Sequence, residues 1–368
     1  MRIGGISMKK LILAALSLLL LSALSLGLVS CGEYKPVKSS ESDAKTLVML
    51  DGEEVRFELV RAFVLALQKE YDQGDASIWQ SEEGEALFAQ LLAESMRRIA
   101  EIHATFKICE ENGIDPYGDK VNDLVSRRVT LDIDGGYLDG NFIEGYGSKK
   151  KYLAALKERG LTDSVNRLLH RWDVCLSLLY EQMIEKFDDG ANVVSREEVR
   201  EFYDSDDCAR ISWVFISNEN SKDDTMYYGK ALRARAALLE CNSYEEMSVI
   251  VAQNTLNLGY DQIDNGFCLS SLGGIGSGDR EICQTAASLR HLEVSEIIET
   301  DLGLYILIGL TKSVTFFNNH YEEIHDLCLE HRLYDSIDST AALLLENASY
   351  SDAFSALGVS DFFEVGEN

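Results

Sequence analysis

Glu299-Thr300-Asp301-Leu302-Gly303-Leu304-Tyr305-Ile306-Leu307 is the stretch on which the fold turns. Its second half, continued to Leu310, is an apolar run of strand length, and Val294 to Thr300 before it is another strand candidate. Two more lie upstream, Ile211-Ser212-Trp213-Val214-Phe215-Ile216 and Gly266 to Leu269. Between these the pattern is helical. Asp224 to Glu240 reads as a helix, and Ser243 to Glu246 is a capping box with Met247, Ile250 and Val251 on one face. The interval 206–312 therefore reads as a compact α/β insert.

The flanks are helical. Thr46 to Leu50 is a short apolar run closed by Asp51-Gly52, a turn signal. Val60, Phe63, Val64, Leu67 and Tyr71 then recur at helical spacing, as do Phe88, Leu91, Leu92, Met96, Ile99, His103 and Phe106, with Gly113 as the stop. Leu168, Trp172, Cys175, Leu176, Leu179 and Met183 define a further amphipathic helix with Thr162 as N-cap. Ser195-Arg196-Glu197-Glu198 is a second capping box, and Tyr321, Ile324 and Cys328 mark the helical return after Ser313. Only Pro36 and Pro116 are prolines, which suits long helices.

The N-terminus has its own character. Arg2, Lys9 and Lys10 precede an apolar stretch from Leu11 to Val29 that ends in Leu28-Val29-Ser30-Cys31. A basic start, an apolar run and a small residue before the cut form a secretory signal. Cys31 at the first mature position, in what looks like a bacterial lipobox, adds lipid attachment and places the mature chain on the extracytoplasmic face of a cell membrane. The competing reading is an uncleaved transmembrane anchor. Gly32 to Lys45, polar and serine-rich, reads as a tether.

The whole chain carries 34 Lys and Arg against 62 Asp and Glu, a charge of −28. Without the first 30 residues, 31 basic face 62 acidic residues, a charge of −31. Such a surface repels phosphate backbones, which argues against nucleic-acid binding, and can attract basic unfolded segments. Beyond Cys31, seven cysteines remain, an odd number without CxxC pairs, which argues against a disulfide framework. Cys109 and Cys175 fall at core positions of helices.

Other constellations fail on spacing. Asp132-Ile133-Asp134-Gly135-Gly136 hints at a calcium loop, but Tyr137 and Ile143 stand where an EF-hand needs Gly and Glu, leaving a solvated acidic loop. Gly273-Gly274-Ile275-Gly276-Ser277-Gly278 lacks the P-loop lysine and dinucleotide spacing and reads as a mobile loop. His320, Glu323, His325 and Cys328 lack the one-face spacing of a zinc helix, so no metal or cofactor is expected. No GxSxG elbow is present.

The order of pieces resembles the PrsA/SurA class of extracytoplasmic foldases, in which a helical chaperone domain carries a parvulin-type prolyl isomerase domain. Thr46 to Phe57 resembles the family's opening strand, turn and strand. Glu111-Asn112-Gly113-Ile114 resembles its helix end, and Tyr152-Leu153 through Gly160-Leu161-Thr162 its next helix entry. Val194 to Tyr203 resembles the link into the parvulin domain. Leu289-Arg290-His291-Leu292-Glu293-Val294-Ser295 resembles the family's "L..GevS" turn, and Thr300 to Leu307 its "t..GyHii" strand.

The resemblance implies an α+β fold: a mainly helical chaperone domain with an inserted parvulin-like domain, a small antiparallel sheet flanked by helices. It implies a signal peptide over 1–30, a lipidated tether over 31–45, a helical domain over 46–205, the parvulin-like domain over 206–312, and C-terminal helices over 313–368 packing on the helical domain. It also places the family's two catalytic histidines on Trp213 and Tyr305. Ser212, Phe267, Cys268, Ile282 and Leu302 become the candidate peptide pocket. A shaped, polar-tuned pocket must favour the twisted amide over the planar one, across an uncatalysed barrier of ~18–20 kcal/mol. With both histidines replaced, catalysis is expected to be lost while binding of unfolded or nascent secreted polypeptides is kept. A working prolyl isomerase with a rearranged pocket, using Cys268 or Ser212 beside Tyr305, and a scaffold lipoprotein without clients are the alternatives, and homodimerisation stays open.

Overall fold

The computed structural model describes residues 34–36, 44–72, 76–138, 141–188, 194–217, 224–255, 258–272, 277–300 and 302–365. The stretch expected as a signal peptide with Cys31, most of the stretch expected as a tether, and the glycine run 273–276 lie outside them. The protein is α+β and mainly helical, with small antiparallel sheets. It divides into two compact units, Met1–Gln182 with Ser336–Asn368, and Met183–Asp335.

In the first unit Tyr34–Pro36, within the stretch expected as a tether, forms strand β1. Asp51 and Gly52 have φ of +49° and +89°, the left-handed pair that a two-residue hairpin turn needs. They join β2 (Thr46–Leu50) to β3 (Glu53–Arg56) with Leu50 opposite Glu53. Helix α1 (Phe57–Asp72) buries Val60, Phe63, Val64 and Leu67, the expected stripe. Ser81 caps α2 (Glu82–Glu111) by accepting from the Gly84 amide, and thirty residues at 1.5 Å rise make it about 45 Å long. Gly113, at φ +78°, turns the chain after it.

Helices α3 (Asp119–Asp134), α4 (Lys149–Glu158) and α5 (Asp163–Asp188) follow. Between α3 and α4 stands a hairpin of β4 (Gly136–Leu138) and β5 (Asn141–Ile143). Thr162 does cap α5, its Oγ1 accepting from the Val165 amide at 3.2 Å. Trp172 of α5 is buried, and its Nε1 donates to Thr105 Oγ1 of α2 at 2.9 Å. Cys109 and Cys175 are fully buried, the Cys109 thiol facing the Cys175 carbonyl oxygen at 3.8 Å.

Asp132 corrects the sequence reading of a solvated acidic loop. It lies buried in the last turn of α3, accepts from Asn166 Nδ2 at 3.0 Å and meets His170 Nε2 at 2.7 Å. Asn166 also donates to the Tyr152 hydroxyl, which donates to Asp163 Oδ1 at 2.8 Å. Burial first, then the bond to Asp163, pushes the Tyr152 phenol well above its usual range. A buried carboxylate needs such partners, and they come from a helix more than thirty residues downstream.

The chain's end belongs to this unit. Ser349–Tyr350, strand β10, pairs with the outer side of β2, and Phe363–Val365, strand β11, pairs antiparallel with β1. Phe362 and Phe363 are buried, Phe362 lying 5.2 Å from Phe57 and 5.6 Å from Phe88 between ring centres.

The second unit holds a four-stranded antiparallel sheet of β6 (Cys208–Ser217), β7 (Phe267–Ser270), β8 (Ile298–Thr300) and β9 (Gly303–Gly309), in the order β7-β6-β9-β8. It takes in, besides 206–312, α6 (Arg196–Asp204) before the sheet and α11 (Val314–Asn319) with the start of α12 (Tyr321–Glu346) after it. Val199, Phe202 and Tyr203 of α6 share a core with Phe316, Phe317, Ile324 and Cys328. The Ser195 capping box is complete in both directions.

The even-numbered residues Val214, Ile216, Leu304, Ile306 and Ile308 face α7 (Asp224–Leu239) and α8 (Tyr244–Asn254), and α9 (Tyr260–Asn265) leads into β7. The odd-numbered face is covered by Ile282 and Ala286 of α10 (Ser277–Ser288). With both faces covered, every residue of β9 is buried. The strand expected over Val294 to Thr300 is shorter. Only Ile298–Thr300 and a single bridge, Val294 to Ile308, pair with β9. In between, Ser295 Oγ takes the Leu307 amide at 2.9 Å in place of a backbone carbonyl, which breaks the ladder.

Candidate functional site

The site begins with the pleat. Successive residues of a strand face opposite sides, so Trp213 and Phe215 of β6 share a face with Tyr305 and Leu307 of β9, and Phe267 of β7 joins them. The register sets Trp213 opposite Leu307 and Phe215 opposite Tyr305. The Trp213 ring centre lies 4.6 Å from Phe267 and 5.2 Å from Tyr305, both edge-on, and Phe215 lies 4.6 Å from Tyr305. Edge-on aromatic pairs at such spacing are favourable beyond their buried area. Ile282 and Ala286 close the cluster from α10.

The backbone beneath is pinned. Strand β7 pairs with β6 only over Cys208 to Ile211. Beyond that, buried Thr255 takes over the edge: its Oγ1 accepts from the Phe215 amide at 3.1 Å and donates to the Trp213 carbonyl at 3.2 Å. A single hydroxyl thus fixes the two residues that carry the rings.

Of the sequence-derived candidates, the fold brings together Trp213, Tyr305, Phe267 and Ile282. It does not bring Ser212 or Cys268 to them. Each sits one residue from a cluster member, so the pleat turns it to the opposite face. Ser212 is fully buried there, and Cys268 packs with the Cys208 core. Its proximity to Cys208, with burial, pushes the Cys268 thiol well above its usual range and keeps it protonated. Neither supplies a polar group beside Tyr305. Leu302 is exposed in the turn between β8 and β9, where Thr300 Oγ1 accepts from the Leu302 and Gly303 amides at 3.3 Å. Phe215 was not among the candidates, although its place two residues from Trp213 puts it on the same strand face.

The cluster is apolar apart from the Tyr305 hydroxyl and the Trp213 indole N–H. Trp213 Nε1 is buried and has no acceptor among the described residues. Leu292, before β8, has a φ of +62°, the left-handed conformation that glycine favours.

Two other groupings have structural roles. Ser270 Oγ lies 2.8 Å from His331 Nδ1, with Asp207 Oδ2 at 4.0 Å from Nε2. The order is that of a nucleophilic triad, yet Ser270 is buried, already accepts from the Leu272 amide, and its histidine stands beyond hydrogen-bond reach of the carboxylate. His320 faces Glu323 at 3.3 Å, and His325 is buried beside Asp326. Among the described residues no group of three or more His, Cys, Asp or Glu could hold a metal ion, and no helix is long and apolar enough to cross a membrane.

No protein-family model and no curated relative matches the chain. Solved structures do. The chain is similar to the foldase protein PrsA from Streptococcus pneumoniae, with 12 % identity, 84 % of this chain and 97 % of that one covered, and a TM-score of 0.31. It is similar to PrsA from Bacillus subtilis at 12 % identity, 83 % and 93 % coverage and a TM-score of 0.25. It is also similar to the foldase protein PrsA from Lactococcus lactis at 16 % identity, 84 % and 96 % coverage and a TM-score of 0.25.

Proposed function

We propose that the protein is a membrane-anchored, extracytoplasmic folding factor that binds unfolded secreted polypeptides without isomerising their prolyl bonds. One observation carries the reading. Where the resembling isomerases hold two histidines, Trp213 and Tyr305 meet edge to edge in an aromatic cluster. The half-exposed rings of Trp213, Phe215 and Phe267 can pack against a prolyl or aliphatic side chain. It lacks the polar pair that would tune a pocket toward the twisted amide, and differential stabilisation of that state is what catalysis requires. The lipobox at Cys31 supports anchoring, and a functional division into domains 46–205, 206–312 and 313–368 belongs to the same proposal.

The test is a prolyl isomerase assay on the full chain beside a binding titration with proline-containing peptides. The expected result is isomerisation at the uncatalysed rate, with time constants of tens to hundreds of seconds, together with saturable binding. Acceleration would make the protein an enzyme and overturn the proposal. An absence of binding, with no suppression of client aggregation, would leave a scaffold. Trp213→Ala removes the largest ring from that surface. It is expected to weaken peptide binding about tenfold, the worth of one aromatic contact, whereas Ser212→Ala on the opposite face leaves affinity unchanged. Equal losses in both variants would move the binding site away from this face.

A further inference from the structure

The charge of −28 is not spread evenly. From 134 to 160, Lys149, Lys150, Lys151, Lys157 and Arg159 stand against Asp134, Asp139, Glu144 and Glu158, a net charge of +1 in an otherwise strongly acidic chain. Lys149, Lys150 and Lys151 are all exposed at the start of α4, and neither Lys150 nor Lys151 forms an ion pair among the described residues. Leu153 is exposed on the same helix, three residues from Lys150 and four from Lys157, hence on one face with them.

The hairpin just before α4 adds two aromatic rings. Tyr137 and Phe142 are direct cross-strand partners with ring centres 5.3 Å apart, and they are 73 % and 66 % exposed. The hairpin's base is rigidly seated. The amides of Tyr146 and Gly147 donate to the carbonyls of Asp132 and Ile133 at 2.9 and 2.7 Å. Gly135 and Gly145 are in backbone contact, so that a Cβ on Gly145 would meet the Gly135 nitrogen at 2.0 Å. Tyr146 then packs 6.1 Å from Tyr152 of α4. Rings and lysines therefore belong to one fixed piece of the first unit.

We propose that this piece is a docking surface for an anionic lipid bilayer. Aromatic side chains gather at headgroup depth. Lysine stems lie along apolar surface with the ammonium groups toward lipid phosphates. The positive patch is complementary to an anionic leaflet, which repels the remainder of this acidic chain. Two rings, one leucine and a few lysines fall well short of the roughly 800 Å² per partner of a stable protein interface, whereas a bilayer needs no matching shape. A lipid on Cys31 would raise the effective concentration of the bilayer, so that a weak contact suffices. The surface is separate from the aromatic cluster of the second unit, and the proposal does not depend on peptide binding there.

The test uses the full chain with Phe142→Trp as a local reporter. The chain is mixed with vesicles of phosphatidylcholine, with or without phosphatidylglycerol, that carry brominated acyl chains. The expected result is a blue shift and bromine quenching of the introduced indole on phosphatidylglycerol vesicles. Adding Lys149→Glu, Lys150→Glu and Lys157→Glu, the three lysines on the Leu153 face, should cost about a hundredfold or more in lipid affinity at that site, at roughly fivefold for each lysine removed from the surface. All variants share one N-terminus, so attachment through it cancels. Circular dichroism checks that these exposed substitutions leave the fold intact. Absent quenching, or quenching that survives charge reversal, overturns the proposal. A shift induced by polyglutamate but not by vesicles would assign the patch to an acidic protein and overturn it as well. Peptide affinity of the charge-reversed chain, unchanged in either case, keeps this result apart from the folding-factor reading.

Discussion

Gly266→Ala is expected to lower the stability of the second unit by about 3 kcal/mol, which for a unit of this size lowers its melting temperature by about 10 °C. Gly266 closes α9 with φ +71° and its amide on the Gln262 carbonyl. A Cβ there would lie 2.5 Å from the Ile211 carbonyl oxygen and 2.3 Å from Leu310 Cδ1. The leucine can turn away. The carbonyl cannot, because it belongs to the strand that carries Trp213. Left-handed strain adds about 1 kcal/mol. Gly113→Ala separates the two effects: its φ is +78° but nothing lies within 4 Å of the added carbon, so only about 1 kcal/mol should be lost. Hydrogen exchange of the β6 and β9 amides reads the second unit directly. Equal effects of the two substitutions would show that no close approach exists at Gly266.

Acid is expected to weaken the first unit through His103. Burial in α2 pushes its imidazole down from the usual 6.5 to about 4, and Nε2 has no partner among the described residues. Between those pH values the unfolded chain binds a proton that the folded chain refuses. Stability is therefore complete above about pH 6.5 and falls with pH by about 1.4 kcal/mol per unit, toward a total near 3 kcal/mol at pH 4. His103→Leu should remove this slope and leave stability at pH 7.5 little changed. Urea unfolding at pH 7.5 and 5.0 should give a difference about 2 kcal/mol larger for the parent chain than for the variant. Identical differences would mean that the ring accepts a proton in the folded state.

Local chemistry was largely legible in the sequence. The caps at Ser195 and Thr162, the Asp51-Gly52 turn and the stop at Gly113 depend on neighbouring residues, and each appears where those residues place it. The helical flanks and the α/β insert followed from the same patterns, and the α+β class from the resemblance they carry. What depends on distant partners was not legible. Asp132 looked solvated because Asn166 and His170 stand a helix away. Ser295 broke a strand because its hydroxyl found an amide twelve residues on. The pairing of Tyr34–Pro36 with Phe363–Val365 joins two three-residue segments, too short to show a period. The candidate site lies between these cases. Strand alternation alone would have turned Ser212 away from Trp213 and brought in Phe215, whereas Phe267 and Ile282 reach the cluster only through the sheet and α10.

The pairing of β1 with β11 has a consequence for chain topology. Tyr34 stands opposite Val365 in register, and paired strands run about 4.8 Å apart. The segment from Tyr34 to Val365 is thus nearly a closed loop before any covalent bond spans it. A disulfide between Tyr34→Cys and Val365→Cys would close that loop and remove freedom from the unfolded state. The cross-linked chain is expected to melt above its reduced form, and equal melting temperatures would show that β1 and β11 part before the first unit unfolds.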